Sequence, residues 1–476
     1  MKYLIIILPL ITGFGIDCIL GDPYSMPHPI RLIGRLISEC EKLVRRKFIN
    51  HLRLGGFFLV LAVVLISSAV PFFILLTAYK ISTVFGIAAE SIMCYYLVAA
   101  KCLKDESMKV YYAENEHDTE KAIGIFLIIL GHLDFGILEF GGLFPYYSYH
   151  VLIFVFISGY FYRENDEKDI PGFIKRKAKR LLLPYLVCNI ITGILVNLLH
   201  GAGILYGGNF NLYNLLIAPF EGGHQFMLNA PGWFIPALFV LELCNVIGRR
   251  ILSLIKLDNE YVVFALYLAM GTATVFLARR GSVYDWYKFP GRLLFMAPVL
   301  QLGRLYRTKL EKKDTLNNTL YFLIILILNL ILVLTQGGLA FSTVWVSGFA
   351  NSPVIPYITT VTGIALWLRI SKIIASIPGK HVIANYIGSH TLQICLYHLF
   401  GWLALGGLYL AMNRLFGIFE DFDVQRFCTD VYYAYTPGGI EAAKWIYVLV
   451  SFLLPLGLCL IGDKICGLLT NGKTTK

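Results

Sequence analysis

Residues 121–134 read Lys121-Ala-Ile-Gly-Ile-Phe-Leu-Ile-Ile-Leu-Gly-His-Leu-Asp134. An unbroken apolar stretch follows the lysine, and His132 and Asp134 stand at its far end. Such a run reads as a helix packed in apolar surroundings, and it carries ionisable groups to where water is lost. The rest of the chain has the same character, with 57% hydrophobic and 15% charged residues. A soluble globular enzyme carries about 45–50% apolar and about 25% charged residues, and disordered chains are poorer still in apolar residues. The composition therefore predicts an all-α, polytopic integral membrane protein, because helices satisfy their own backbone groups in lipid. The net charge of +11 does not indicate nucleic acid. The basic residues fall between apolar runs, as lipid topology requires, so the bilayer is the expected partner.

The sequence divides at a polar stretch, residues 101–120, which ends Glu114-Asn-Glu-His-Asp-Thr-Glu120. Before it come an apolar run from Tyr3 to about Leu20, read as a retained span, a basic amphipathic stretch from Arg31 to Arg53, and apolar stretches at Gly55–Ala78 and Ile81–Ala100. After it come ten apolar segments near 122–136, 145–162, 181–199, 233–248, 262–278, 290–304, 318–336, 354–369, 383–412 and 443–463. With the linker cytosolic, inside loops of the second part hold 21 Lys and Arg and outside loops hold 6, a positive-inside bias. The expectation is about thirteen transmembrane helices (3 + 10) in the cytoplasmic membrane. The domain reading is 1–113 for an N-terminal membrane segment, 114–121 for a linker, 122–465 for a ten-helix domain and 466–476 for a cytosolic tail. The ten cysteines show no CxxC or Cys/His ligand spacing, so neither a disulfide framework nor a metal site is expected.

Three groups can carry chemistry. His132 and Asp134, His150 and His398 lie in or beside apolar segments. A neutral imidazole there can accept a proton from a hydroxyl, or can simply bond a backbone carbonyl as packing glue. The run Phe173-Ile-Lys-Arg-Lys-Ala-Lys-Arg180-Leu-Leu-Leu-Pro184-Tyr185 places Lys175, Arg176, Lys177, Lys179 and Arg180 at the mouth of a span. They read as a positive-inside anchor or as a clamp for an anionic donor's phosphates. Trp233, in Pro231-Gly-Trp-Phe-Ile-Pro-Ala-Leu-Phe239, reads as an interfacial anchor, and Pro236 as a kink within the span. The outside loop 200–232, with His200, Glu221 and His224, has the composition of a lid or a carbohydrate surface.

These stretches occur in order with Tyr149-His-Val-Leu-Ile-Phe-Val-Phe-Ile-Ser-Gly-Tyr-Phe161 and Tyr386-Ile-Gly-Ser-His-Thr-Leu-Gln-Ile-Cys-Leu-Tyr-His398. Together they resemble the membrane acyltransferase 3 family over about 118–465. That family's usual Phe-His-Met-Pro stands here as Tyr149-His150-Val151-Leu152. The resemblance implies transfer of an acyl group, often acetyl, from acyl-CoA to a hydroxyl of a sugar or surface polysaccharide. It implies His132 as the catalytic histidine, with His150 and Ser158 lining the site. Lys175, Arg176, Lys179 and Arg180 would hold the CoA end, and Asp134, Trp233 and His398 would face a carbohydrate or lipid-linked acceptor.

The N-terminal part contains Gly21-Asp-Pro-Tyr-Ser-Met-Pro-His-Pro-Ile-Arg-Leu-Ile-Gly34, which resembles the start of the CobD/CbiB cobalamin-biosynthesis family, the adenosylcobinamide-phosphate synthases. The resemblance marks Asp22, His28 and Arg31, and it ends near 110–121, before that family's later motifs. The chain thus reads as a truncated corrin-pathway module joined to an acyltransferase. Two alternatives are a cobalamin-biosynthesis protein whose N-terminal module works, and a non-catalytic transporter of lipid-linked sugar. The transporter would show inverted repeats, and no repeat is visible.

Overall fold

The computed structural model describes residues 52–98, 117–281, 285–349, 352–377 and 381–471, with a few positions between 8 and 41. Among them there are helices and two isolated bridges but no strand. The chain separates into two compact units, Met1–Ala113 and Glu114–Lys476.

In the first unit, α1 (Leu52–Ile81) and α2 (Thr83–Val98) are apolar all round. They part at Ser82, whose Oγ accepts the Phe85 N–H at 3.1 Å, a side-chain bond that competes with helix continuation. The Tyr79 ring covers Gly86, where a Cβ would come within 2.3 Å of it. The basic stretch 31–53, with Asp22, His28 and Arg31, lies almost wholly outside the described residues.

The second unit has a long helix at each of the ten apolar segments. They are α3 (117–132), α4 (Tyr146–Tyr160), α5 (Leu183–Gly201), α6 (Phe234–Leu254), α7 (Glu260–Arg279), α8 (Asp285–Leu305), α9 (Asn318–Gln336), α10 (Ile355–Ala375), α11 (Thr391–Phe416) and α12 (Lys444–Asn471). Seven helices among the described residues are long and apolar enough to cross a bilayer, and the chain is a multi-pass membrane protein. α3 and α4 fall short, with 16 and 15 residues, or about 24 Å at 1.5 Å per residue. They are the core of the unit, with Ile125, Leu127, Ile129, Leu130, Tyr149, Leu152 and Ile153 fully buried. α9 is the opposite case: Leu320, Leu323, Leu326, Ile327 and Leu330 are exposed, as befits a helix that turns most of its surface to lipid.

One expectation needs correction. The segment 383–412 is not a single span. It breaks at His390 into a short helix, His381–Ser389, and α11. The His390 Nδ1–H and the Ser389 hydroxyl both donate to the Tyr386 carbonyl, at 2.8 and 2.9 Å. Gly388 meets the backbone at Asp118 so closely that a Cβ would sit 2.1 Å from its carbonyl oxygen.

Two contacts set the frame for the site. α4 and α8 touch backbone to backbone: a Cβ on Gly159 would lie 1.7 Å from the Leu300 carbonyl oxygen, and one on Gly303 2.0 Å from that of Phe156. Small residues permit this approach, and in lipid such packing holds helices together where no hydrophobic force can. Where the end of α6, the start of α7 and the end of α8 meet, Glu260 accepts from Arg249 at 2.9 Å, from Arg304 at 2.7 Å and from Gln301 at 2.7 Å. Both guanidiniums also lie over the Tyr162 ring, at 5.5 and 4.9 Å. Two of the arginines counted as inside-loop charges are therefore clasps between helices.

Gly303→Leu is expected to abolish recovery of monodisperse protein in size-exclusion chromatography. Gly407→Leu, at an open position on α11, is expected to leave it intact. Glu260→Ala removes the carboxylate that two buried guanidiniums share but leaves Arg249 with Glu167 and Arg304 with Glu164, so its cost should stay below the about 3–5 kcal/mol of a buried charge left wholly unpaired. It should lower the thermal midpoint far more than Glu441→Ala, whose carboxylate is 68% exposed in its pair with Lys444.

Candidate functional site

α3 ends at His132, and α11 carries His398 on its second turn. The two rings lie nearly parallel with centroids 5.4 Å apart, and His398 Nε2 is 3.3 Å from His132 Nδ1. The direction of that bond follows from the other nitrogen of His398. Its Nδ1 faces the carbonyls of Ile394 and Cys395 at 3.0 and 3.1 Å. A carbonyl only accepts, so Nδ1 carries the proton. In a neutral ring Nε2 then accepts from the His132 Nδ1–H. By the same logic His132 holds its free lone pair at Nε2. A packing bond to the helix backbone thus sets the tautomer of the neighbouring histidine. His132 is part-buried, and on its other face it stacks against Tyr432 at 5.3 Å.

His150, on the first turn of α4, is buried and donates from Nδ1 to the Tyr146 carbonyl at 3.1 Å. Ser158 is eight residues further along α4, about 12 Å by helical rise, so it does not share a level with His150. Asp134 lies beyond the end of α3, exposed and at φ 49°, so it is a loop carboxylate and not a helical one. With Glu139, Tyr146, Tyr147 and Ser148 it lines a pocket of about 380 Å³ that starts at Gly131 beside His132. Burial and the nearby Asp134 raise the Glu139 carboxyl above its ordinary range. Gly131 gives room to the edge of the Tyr147 ring, 2.8 Å from where a Cβ would stand.

Trp233 is not an interfacial anchor. It is 3% exposed, and the Arg292 guanidinium lies 4.5 Å over its ring. Pro236 does not kink a span either. It falls in the first turn of α6, after the 3-10 segment Met227–Trp233, where its missing N–H has no partner to lose. The loops 200–232 and 413–441 meet each other: the Leu205 N–H donates to the Cys428 carbonyl at 2.7 Å, and the Tyr206 hydroxyl bonds the Phe427 carbonyl. Tyr432 reaches His132 from the second of these loops.

The basic run is split by its own sequence. Ile170–Lys177 is α-helical, Ala178–Leu182 forms a π-turn, and α5 begins at Leu183. Pro184 has no N–H to give the Arg180 carbonyl four residues back, so the regular ladder cannot pass this point. Arg176 pairs with Asp166 at 2.7 Å and Asp169 at 3.3 Å, and Lys177 with Glu242 at 2.7 Å. Lys175, Lys179 and Arg180 are exposed and have no carboxylate partner among the described residues.

Sequence reading missed Tyr432 and Arg292. Tyr432 gives no local signal. Arg292 does give one, in Phe289-Pro-Gly-Arg292 at the head of an apolar segment, but it was counted as an outside-loop charge.

Comparison with known proteins places both parts. A CobD/Cbib protein model matches residues 10–125. Cobalamin biosynthesis protein CobD of Clostridium perfringens is 41% identical over 113 residues, covering 24% of this chain and 36% of that protein. The Clostridium acetobutylicum protein of that name is 39% identical over 117 residues, covering 24% and 37%. The Geobacter metallireducens one is 30% identical over 129 residues, covering 27% and 40%. The chain spans little more than a third of the length of these curated relatives. No solved structure matches. An acyltransferase domain model matches residues 117–463, which is most of the chain and includes both His132 and His398, and the chain therefore belongs to the membrane acyltransferase 3 family.

Proposed function

We propose that the second unit transfers an acyl group, acetyl in the first instance, from acyl-CoA to a hydroxyl of a sugar or surface polysaccharide in the cytoplasmic membrane. The observation that carries this reading is the His398–His132 bond, which leaves a lone pair on His132 Nε2. In the proposed reaction Nε2 takes the proton of the acceptor hydroxyl as its oxygen attacks the thioester carbonyl. The tetrahedral species collapses and expels the CoA thiolate, and the imidazolium returns its proton to that sulfur. The products are an ester and free CoA. His398 stays neutral, and its Nε2 keeps accepting from His132 Nδ1–H while the latter ring is charged. It has the orienting place that a third group holds behind a base.

Lys175, Lys179 and Arg180 are the proposed clamp for the phosphates of the CoA end, with Arg176 held by its two aspartates. The pocket beside Gly131, with Asp134 and Glu139, suits a polyhydroxylated acceptor, because carboxylates accept from sugar hydroxyls. For the first unit the proposal is narrower. Asp22, His28 and Arg31 are its candidate residues, and synthase activity would need the remaining length of its relatives from a partner chain.

Purified protein given radiolabelled acetyl-CoA and bacterial envelope glycan should label the glycan. His132→Ala should reduce the rate by about 10²–10⁴-fold, the usual contribution of a general base; labelling at the wild-type rate would sink the mechanism. His398→Phe keeps the stacked ring but removes the acceptor, so kcat should drop with little change in KM. Arg180→Gln should instead raise KM for acetyl-CoA, by about tenfold for one lost charge-assisted bond.

A further inference from the structure

The second unit buries four arginines among the described residues, namely Arg249, Arg292, Arg304 and Arg369. Three face carboxylates: Arg249 and Arg304 share Glu260, and Arg369 pairs with Asp314. Arg292, with no exposed surface at all, does not. Its Nε donates to the Val344 carbonyl at 2.7 Å and its Nη1 to the Gly222 carbonyl at 3.0 Å. Its Nη2 is buried with no hydrogen-bond partner. Two carbonyl dipoles and the face of Trp233 do not neutralise a guanidinium, and a buried donor left unmade is costly.

His224, Trp345 and Lys288 stand close by in a linked cluster. His224 Nδ1 donates to the same Gly222 carbonyl at 2.8 Å. Its ring stacks on Trp345 at 5.1 Å, and Lys288 Nζ lies 4.9 Å from the Trp345 ring. Trp345 is 47% exposed, so the cluster that includes Arg292 reaches the surface at this indole. Burial, together with Arg292 and Lys288, pushes the His224 imidazole down to about 4, so at neutral pH the cations there are Arg292 and Lys288.

We propose that Arg292 is the seat for an oxyanion, a phosphate or a carboxylate, carried by the acceptor. Its position argues against the donor. Arg292 is twelve residues along α8 from Arg304, about 18 Å. Arg304 pairs at 2.8 Å with Glu164, in the same loop region as the basic run that is proposed to hold CoA. Seat and clamp therefore lie at opposite ends of α8. Only the word "acceptor" rests on the acyl-transfer reading; the anion seat rests on Arg292 itself.

The test is thermal unfolding of the full-length protein in detergent at constant ionic strength, with sodium phosphate or sodium acetate replacing chloride. Wild type should show a saturable rise in midpoint with one of these anions, and which of the two acts identifies the oxyanion. Arg292→Gln should weaken the apparent affinity by about tenfold or more, as for a lost charge-assisted bond. Arg292→Lys should keep part of it, and this second variant serves if the first does not fold. An equal response in wild type and Arg292→Gln would overturn the proposal, as would no response to either anion in wild type. A response lost in Arg180→Gln but kept in Arg292→Gln would assign the anion to the donor and also overturn it. Failure of the same preparation to label envelope glycan from acetyl-CoA would count against the acyl-transfer reading, while the anion response would still decide the role of Arg292.

Discussion

A polar atom that has given up water must find its partner inside the fold, and in apolar surroundings that demand is at its strictest. Here it governs the chemistry as well as the packing. His398 is placed so that Nδ1 has only helix carbonyls to bond. That choice fixes where its proton sits, and the 3.3 Å bond to His132 passes the consequence along. The basic nitrogen of His132 is thus selected by a backbone contact one helix away.

The same constraint separates the arginines. Arg249, Arg304 and Arg369 are buried at helix ends where carboxylates from neighbouring elements reach them. They join helices, and their loss would be felt as lost stability. Arg292 is buried as completely, but among the described residues it is met by carbonyls and an indole face. Backbone contact between α4 and α8 at Gly159 and Gly303 holds the helix of Arg292 against the helix of His150.

Much of the fold was legible in the residues. The apolar segments located all ten long helices of the second unit, because a helix in lipid must be apolar over most of its length and leaves a plain trace. The break at His390 was not legible, since it depends on local side-chain bonds and on a distant backbone contact at Gly388. The site was legible in part. His132, His150 and His398 stood out as ionisable groups in apolar runs. Trp233 and Pro236 were misread because an edge position and a proline were judged without knowing which face of the chain is buried. Tyr432 was invisible, as a loop tyrosine has no periodicity to mark it.

Sequence alone determined that this is an all-helical membrane protein in two parts, and which few groups could do chemistry within it. Composition and apolar periodicity are properties of each segment by itself, so no neighbour is needed to read them. Tertiary structure alone decided that His132 has His398 as its partner, that its lone pair is on Nε2, and that Arg292 is the buried arginine without a carboxylate partner among the described residues. Those are relations between atoms 52 to 266 residues apart, and pairings of that kind come into being only when helices pack.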